Sequence, residues 1–205
     1  MDLSAYVADF AAAMKRVDTL APCALSTRDG RSYRPGIGPH TENQTVSLVM
    51  SDLSKQSALR CREKFALQVP YPVGRSKLDV AFGASPDWSL CIEMKMLRLM
   101  GDNGIANDNM LMHILSPYPQ HRSAVTDTEK LLRSGLPGTK AIVIYAYEYP
   151  SFPAAPAIAA FEALAKQRVA LEPVQAATAS DLIHPVHNRA TVYGWTISPP
   201  EQKAP

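Results

Sequence analysis

Two short apolar segments joined by a turn sequence constrain the fold of this chain more than any other feature. Residues 77–83 read KLDVAFG and residues 88–97 read WSLCIEMKML, and both alternate between apolar and polar side chains. The sequence between them, GASPD (83–87), is rich in residues that favour turns. Because alternation with a period of two is typical of β-strands, these segments are predicted to form a β-hairpin.

Three charged side chains interrupt the apolar pattern of this hairpin. Glu93 and Lys95 lie two residues apart and therefore share one face of their strand, opposite the inward-packing Leu90, Ile92, Met94 and Met96. In the partner strand, one face is predicted to carry the apolar residues Leu78, Val80 and Phe82. This pattern leaves Asp79 on the other face, and a hairpin centred near Pro86 places position 79 opposite position 93. The three charged side chains are therefore predicted to converge.

The rest of the chain is predicted to surround the hairpin with helices and further strands. Helical spacing predicts an amphipathic helix over residues 3–17, and Thr41 is expected to cap a second helix that carries Glu42 in its first turn. The other predicted elements are a strand at 64–70, a short helix within 110–115, a helix ending at Gly135, a central strand at 140–149, a helix at 156–170 and a strand at 190–197. This order predicts an α/β fold, with a mixed sheet flanked by helices. We expect one domain over residues 1–197 and a Pro-rich disordered tail over 198–205.

Charge is distributed unevenly along the chain. The net charge of +2 does not by itself indicate a nucleic-acid-binding protein. The segment that leads into the hairpin is nevertheless strongly basic and contains Lys55, Arg60, Arg62, Lys64, Arg75 and Lys77 against the single acid Glu63. A phosphate-bearing partner is therefore expected to bind near this segment.

Cysteine usage and hydropathy bear on the compartment. Cys23, Cys61 and Cys91 are isolated and odd in number, which argues against a disulfide framework and against a zinc cluster. The N-terminal sequence has an acid at position 2 and spaced apolar residues, unlike a signal peptide. No apolar run reaches the roughly 18 residues that a membrane helix needs. A cytoplasmic protein without membrane association is expected.

The convergence of Asp79, Glu93 and Lys95 favours a particular chemistry. Two carboxylates and a lysine at neighbouring positions are costly to hold together unless a cation or a reaction uses them. Hard carboxylate oxygens suit Mg²⁺, which takes its remaining ligands from water and substrate phosphate. The predicted reaction is metal-assisted phosphodiester hydrolysis, with the lysine orienting water and offsetting transition-state charge. The alternative interpretation is a Lys–Glu pair on a solvent-facing strand edge.

The spacing of these residues resembles the PD-(D/E)xK motif of restriction-endonuclease-like nucleases. Asp79 is followed, after thirteen residues, by the tripeptide EMK (93–95). The resemblance covers roughly residues 40–147 and implies the αβββαβ core of that fold. One departure is that Leu78 stands where the motif has its proline.

The resemblance also implies a role for each residue of the motif. Asp79 and Glu93 would be metal ligands, together with the backbone carbonyl of Met94. Lys95 would be the catalytic lysine. Glu42 matches the acidic residue that many members carry in the first core helix, where it supports the metal site.

Together these observations predict a Mg²⁺-dependent nuclease, with Mn²⁺ as a possible substitute, that acts on DNA. The basic residues expected to hold the DNA phosphates are Arg60, Arg62, Lys64, Arg75 and Lys77. Because cleavage of both strands needs two active sites, a homodimer is expected, and the apolar segment at 109–122 is the predicted contact surface unless it folds back as core. A catalytically inactive binding or assembly module on the same fold is the alternative.

Several other polar residues are further candidates for a functional site. His184 and His187 could form half of a metal site, but a surface loop is the favoured interpretation because no cysteine or acid accompanies them at useful spacing. His113 and the pair at 121–122 could contact phosphate, although loop packing is favoured. Lys130 is expected either at the rim of the site or on a solvated helix face.

Overall fold

The computed structural model describes residues 2–26, 29–56 and 64–200. Within these ranges the chain forms five α-helices and seven strands in a mixed α/β fold. The helices are α1 Leu3–Thr19, α2 Glu42–Lys55, α3 Met112–Leu115, α4 Ala124–Leu132 and α5 Ala155–Ala165. The strands are β1 Phe65–Pro70, β2 Lys77–Ala84, β3 Asp87–Leu97, β4 Thr139–Tyr147, β5 Ala170–Leu171, β6 Gln175–Ala179 and β7 Ala190–Ser198.

All the predicted helices and strands are present, and the α/β prediction is confirmed. The short strands β5 and β6 were not predicted, and both pair with β7. The predicted tail at 198–205 begins too early, because Ser198 is the last residue of β7, and residues 201–205 lie outside the described ranges. No helix in the described part of the chain has the length and apolar character needed to cross a membrane.

The sheet is open and mostly antiparallel. Its strand order is β1-β2-β3-β4-β7-β5, with β6 also paired to β7. Only the β3–β4 pair among these strands is parallel. The chain leaves β3, passes through α3 and α4, and returns as β4 beside it. Gly138 permits this close return, since its φ is 79° and a Cβ there would lie 2.2 Å from the Trp88 carbonyl oxygen.

The β2–β3 hairpin has the predicted register in the part that lies away from the turn. The turn residues are Ser85 and Pro86, which are joined by a cis peptide bond. A register shift between Phe82 and Gly83 follows, and beyond it Val80 pairs with Ile92. Continuing this register places Asp79 across from Glu93, as predicted.

The sheet is buried on both faces, so each face of β3 lies in a hydrophobic core. The first core joins α1 and α2 to one face, and its β3 members are Leu90, Ile92 and Met94. The second core joins α3, α4 and α5 to the other face, and its β3 members are Trp88, Cys91 and Leu97. Glu93 and Lys95 therefore point toward packed helices, and the residue Glu93 is only 2% exposed. The solvent-facing edge interpretation is wrong for this pair, because the Glu93 and Lys95 side chains are only 3% and 12% exposed.

Strands β1 and β2 both change the core that they face at one point. Val80 packs in the first core, whereas Leu78 packs in the second, so the prediction that Leu78 shares a face with Val80 and Phe82 is wrong. The physical reason lies across the ladder. Gln68, which is flanked by the pairs Leu67–Val80 and Val69–Leu78, has a left-handed backbone with φ of 55°. This local distortion breaks the strict alternation of both strands beside Asp79.

Helix α2 begins where the sequence predicts. The Thr41 side chain accepts a hydrogen bond from the Gln44 backbone N–H, and Gln44 reaches back to the Thr41 backbone. This capping box fixes the first turn, so Glu42 is held at the helix N-terminus. The apolar face of α2 then packs in the first core through Val46, Val49, Met50 and Leu53.

Candidate active site

The predicted catalytic residues lie in one cavity between the sheet and the helices α2 and α4. The cavity has a volume of about 690 Å³, and its wall includes Glu42, Asp79, Glu93 and Lys95. The four side chains that the sequence predicts to act together therefore line one cavity. Gln68, Thr126, Asp127 and Lys130 also form part of the wall.

Two carboxylates occupy the edge of β3 that β2 no longer covers. The last paired residues of the β2–β3 ladder are Val80 and Ile92. Beyond them, the Met94 backbone N–H donates to Asp79 Oδ2 at 2.8 Å, and the Met96 N–H donates to Glu42 Oε2 at 2.6 Å. These carboxylates satisfy backbone groups that a neighbouring strand would otherwise bind. They are thereby fixed in position along β3.

Asp79 is also held from the side of β1. The Gln68 side-chain amide donates to Asp79 Oδ1 at 3.2 Å. The left-handed turn of the backbone at Gln68 accompanies this contact, and such distortions often re-aim a side chain next to a functional site. Both oxygens of the Asp79 carboxylate therefore have a protein partner.

Lys95 is enclosed by two carboxylates. Its Nζ lies 2.8 Å from Asp127 Oδ2 and 3.8 Å from Glu42 Oε1. Burial acts to lower the pKa of Lys95, but the charges of Glu42 and Asp127 outweigh burial and raise this pKa above its usual value. Lys95 is therefore a persistent ammonium at neutral pH and is not suited to act as a general base.

Asp127 is a site residue that sequence reasoning missed. It lies in the first turn of α4, where a carboxylate is favoured by the helix dipole. Its Oδ1 accepts from Lys130 at 2.7 Å, one helical turn further on. The available signal was this i, i+3 spacing on the helix that follows the hairpin, since the two side chains share a helix face.

Lys130 lies at the site and contacts Glu93. Its Nζ is 2.8 Å from Glu93 Oε1, and it lies 5.0 Å from the centre of the Tyr71 ring. The Tyr71 hydroxyl donates a short hydrogen bond to the same Glu93 oxygen. Tyr71 follows β1 directly and was not predicted. Glu93 Oε1 is thus engaged by both Lys130 and Tyr71.

The carboxylates of the cavity repel one another. Burial raises the pKa of Glu93 to about 8, and the charges of Asp79 and Asp127 add to this effect. Burial likewise raises the pKa of Glu42 to about 6, although Lys95 opposes the shift. Four carboxylates, those of Glu42, Asp79, Glu93 and Asp127, thus lie close together in a partly desolvated cavity. A bound cation would relieve this repulsion.

The donor set fits a magnesium ion whose coordination is completed by water. Within the described residues, no group of three or more His, Cys, Asp or Glu side chains is arranged to hold a metal ion. Mg²⁺, however, is commonly bound through one or two carboxylates, several waters and substrate phosphate. Asp79 and Glu93 would supply the carboxylates. The Met94 carbonyl lies on the same edge of β3 as its N–H, which faces Asp79.

The predicted basic residues divide into three groups. Arg75 and Lys77 belong to the wall of the cavity and are exposed. Lys64 is exposed at the start of β1 and does not form part of that wall. Residues 60 and 62, the predicted Arg60 and Arg62, lie outside the described ranges. Arg122 is an additional basic residue of the cavity wall.

The His184 and His187 pair is buried, so the surface-loop prediction for it is wrong. His187 Nε2 lies 2.9 Å from Asp102 Oδ1, and its Nδ1 lies 2.8 Å from the Tyr149 hydroxyl. The His184 ring stacks on the His187 ring at a centroid distance of 4.7 Å. Gly38 makes room for this stack, because a Cβ there would lie 2.4 Å from the His187 Cβ. The pair packs under the loop that precedes α2.

The segment at 109–122 is divided between core and surface. Ile114 is fully buried in the second core. Leu111, Met112 and Tyr118 are exposed by 45%, 40% and 58%. Both the folded-back and the surface interpretations are therefore partly right, and a homodimer through this segment remains a prediction.

We compared the chain with models of protein families, with curated proteins and with solved structures, and none of them matches it significantly. Functional proposals for this chain rest on the geometry and electrostatics of the cavity.

Proposed function

We propose that this chain is a Mg²⁺-dependent nuclease that hydrolyses phosphodiester bonds of DNA, with a PD-(D/E)xK-type active site. The observation that carries the proposal is the shared cavity of Asp79, Glu93 and Lys95. Burial and neighbouring carboxylates disfavour the charged form of Glu93, and a catalytic metal site would explain why these side chains are nevertheless placed together. Mn²⁺ could replace Mg²⁺.

The order of elements supports a restriction-endonuclease-like arrangement. Helix α2 precedes the three strands β1, β2 and β3, and α4 then leads to β4, which pairs parallel to β3. This is the αβββαβ sequence that the resemblance implies, with the short helix α3 added before α4. The proposed catalytic residues lie on the second and third strands of this unit.

The chain's own residues would divide the work as follows. Asp79 and Glu93 would hold the metal, with the Met94 carbonyl as a further donor. A bound Mg²⁺ polarises a phosphoryl oxygen and lowers the pKa of a coordinated water. Lys95 would orient the attacking water and offset the negative charge that builds on the phosphate, a role that its raised pKa favours. Asp127 and Glu42 would fix the Lys95 ammonium.

Binding of the substrate would depend on cations around the cavity mouth. Arg75 and Lys77 lie on the β1–β2 side, and Arg122 lies beside the start of α4. Guanidinium and ammonium groups on both sides of a carboxylate centre would hold phosphates on either side of the scissile bond. Cleavage of both strands of a duplex would also require a second active site, which a homodimer would supply.

The decisive experiment is incubation of the purified protein with plasmid DNA and with single-stranded DNA in Mg²⁺ or Mn²⁺. We expect metal-dependent cleavage that a Glu93→Ala/Lys95→Ala variant lacks. The matched control is Asp29→Ala/Arg31→Ala, which removes an exposed ion pair outside the cavity wall. Cleavage that persists in the first variant would refute the proposal.

A binding or assembly module on the same fold is the second candidate. One observation favours it: Lys130 and Tyr71 already engage Glu93 Oε1, so the protein itself partly neutralises this carboxylate. A metal titration followed by thermal unfolding separates the candidates, because a ligand that binds only the folded state stabilises it by RT ln(1 + [L]/Kd). Saturable stabilisation that Asp79→Asn abolishes would argue for the metal enzyme.

A further inference from the structure

We infer that the site accepts a nucleotide whose base is unpaired, through a base-binding subsite beside the carboxylates. The substrate class would then be single-stranded DNA or an unpaired end or flap. The inference rests on the proposed nuclease function and narrows its substrate.

A second cavity adjoins the first. Its volume is about 360 Å³, and it shares Glu42, Lys95 and Arg122 with the catalytic cavity. A ligand group in the second cavity would therefore lie directly beside the residues proposed to act on the scissile phosphate. The position suits the base or sugar of an adjoining nucleotide.

The wall of the second cavity has the chemistry that a nucleobase requires. Met96 and Met110 supply polarizable thioether side chains, which pack favourably against aromatic faces. His113 and His121 supply imidazole rings, which can stack on a base or hydrogen-bond to its edge. The His121 ring is fixed by a 2.6 Å hydrogen bond between Nδ1 and Ser116 Oγ. This bond leaves Nε2 as its second hydrogen-bonding nitrogen.

Arg122 stands where the two cavities meet. Its backbone is left-handed, with φ of 48°, which is uncommon for a residue other than glycine and is found preferentially at functional sites. It directly precedes Ser123, the N-cap of α4. A guanidinium at this position would bind the phosphate that links the two nucleotides, while Arg75 and Lys77 would bind phosphates on the far side.

An intact duplex would not fill both cavities. In a duplex, the base beside the scissile phosphate is stacked and paired, and it reaches a separate pocket only after it is unstacked at a cost of a few kcal/mol. A single strand has no base pair to break, so this part of the cost is absent. The adjoining cavities therefore favour a strand whose bases are free to turn away from one another.

The test measures binding of fluorescein-labelled oligonucleotides by anisotropy, in Ca²⁺ in place of Mg²⁺. The probes are a single strand, its duplex and a set of single strands that each carry one abasic residue. We expect tighter binding of the single strand than of the duplex. One abasic position should weaken binding by about 5- to 150-fold, the equivalent of about 1–3 kcal/mol for one stacked base.

Two variants locate the effect. Met110→Trp should fill the second cavity, and His113→Ala should remove one of its rings; both should weaken single-strand binding and reduce the abasic effect. Met112→Trp is the matched control, because Met112 is exposed on the same segment and does not form part of either cavity wall. This control should bind like the wild type.

The outcomes separate this inference from the proposed function. Cleavage of plasmid, together with equal duplex and single-strand binding and no abasic effect, would overturn the subsite and leave the nuclease standing. Single-strand preference that Met110→Trp does not change would also overturn the subsite. Failure to bind or cleave any DNA would refute both.

Discussion

Asp127 lies between Lys95 and Lys130 in the cavity, with Oδ2 at 2.8 Å from Lys95 Nζ and Oδ1 at 2.7 Å from Lys130 Nζ. Each carboxylate oxygen thus fixes one ammonium, and the second ammonium in turn contacts Glu93. Lys95 and Glu93, both of the EMK tripeptide, are therefore coupled through Asp127, which lies on α4. Asp127 positions both lysines and is not expected to touch the substrate.

The first prediction concerns this positioning role. Asp127→Asn should keep the shape of the side chain but lose its charge, and should lower kcat by about 10- to 100-fold, the cost typical of removing a residue that orients a metal-site group. Binding of DNA in Ca²⁺ should change little, since Arg75, Lys77 and Arg122 remain. Asp127→Glu should restore part of the activity. Wild-type kcat in Asp127→Asn would contradict the assigned role.

The second prediction concerns the metal and pH. The pKa of Glu93 is raised from 4.5 to about 8, so without metal the folded protein binds this proton more tightly than the unfolded chain does. The tighter proton binding at Glu93 stabilises the folded state at acid pH, and this stabilisation is lost as pH rises through about 8. Mg²⁺ binding replaces the proton and removes the repulsion. The increase in Tm caused by Mg²⁺ should therefore be larger near pH 9 than near pH 6.

Glu93→Gln tests the same electrostatics from the protein side. The variant cannot ionise at this position, so in EDTA near pH 9 it should be more stable than the wild type, and it should gain no stability from Mg²⁺. Glu172→Gln, on the stretch between β5 and β6, is the control and should behave like the wild type. A variant that is less stable than the wild type in EDTA at this pH would show that repulsion at Glu93 is not the dominant effect.

The third prediction concerns acid pH and the buried histidines. Burial lowers the pKa of His40, His184 and His187 below the usual 6.5, so the unfolded chain binds protons that the folded protein resists. Their contribution to stability is present above about pH 6.5 and is lost as pH falls. His187→Gln should therefore flatten the fall in unfolding free energy between about pH 7 and pH 5, relative to the wild type.

His113→Gln is the control for this measurement, because His113 is exposed. Urea unfolding at several pH values gives the free energies, and the comparison is between slopes with pH, since the loss of packing in His187→Gln lowers stability at every pH. Equal slopes in all three proteins would contradict the prediction.

Most of what could be predicted about the site came from the sequence of the β2–β3 hairpin. Alternation with a period of two placed Glu93 and Lys95 on one face, and counting from Pro86 placed Asp79 across from Glu93. These deductions depend only on local strand geometry. The cap at Thr41 was equally local, and it fixed the start of the helix that carries Glu42.

The predictions that were wrong, and the site residues that were not predicted, depend on contacts between residues far apart in the sequence. Alternation in β3 could not reveal that helices cover its charged face. A strand that is buried on both sides can still carry charged residues if these form ion pairs with side chains of the helices that cover it. The face change at Leu78 follows from the left-handed backbone of Gln68, on another strand. Asp127 acquired its role only when α4 folded onto β3. The burial of His187 likewise follows from its contact with Asp102, 85 residues away.

The last prediction distinguishes among the basic residues that the sequence grouped together. Arg75 belongs to the cavity wall, whereas Lys64 does not. On a single strand, each phosphate contact that is lost reduces the slope of log K against log salt concentration by about 0.7 and weakens binding uniformly across sequences. Arg75→Ala should show this smaller slope, whereas Lys64→Ala should keep the wild-type slope. The measurement is anisotropy of a single-stranded oligonucleotide in Ca²⁺ over a range of salt concentrations. Equal slopes for the two variants would mean that the cavity wall does not define the path of the DNA.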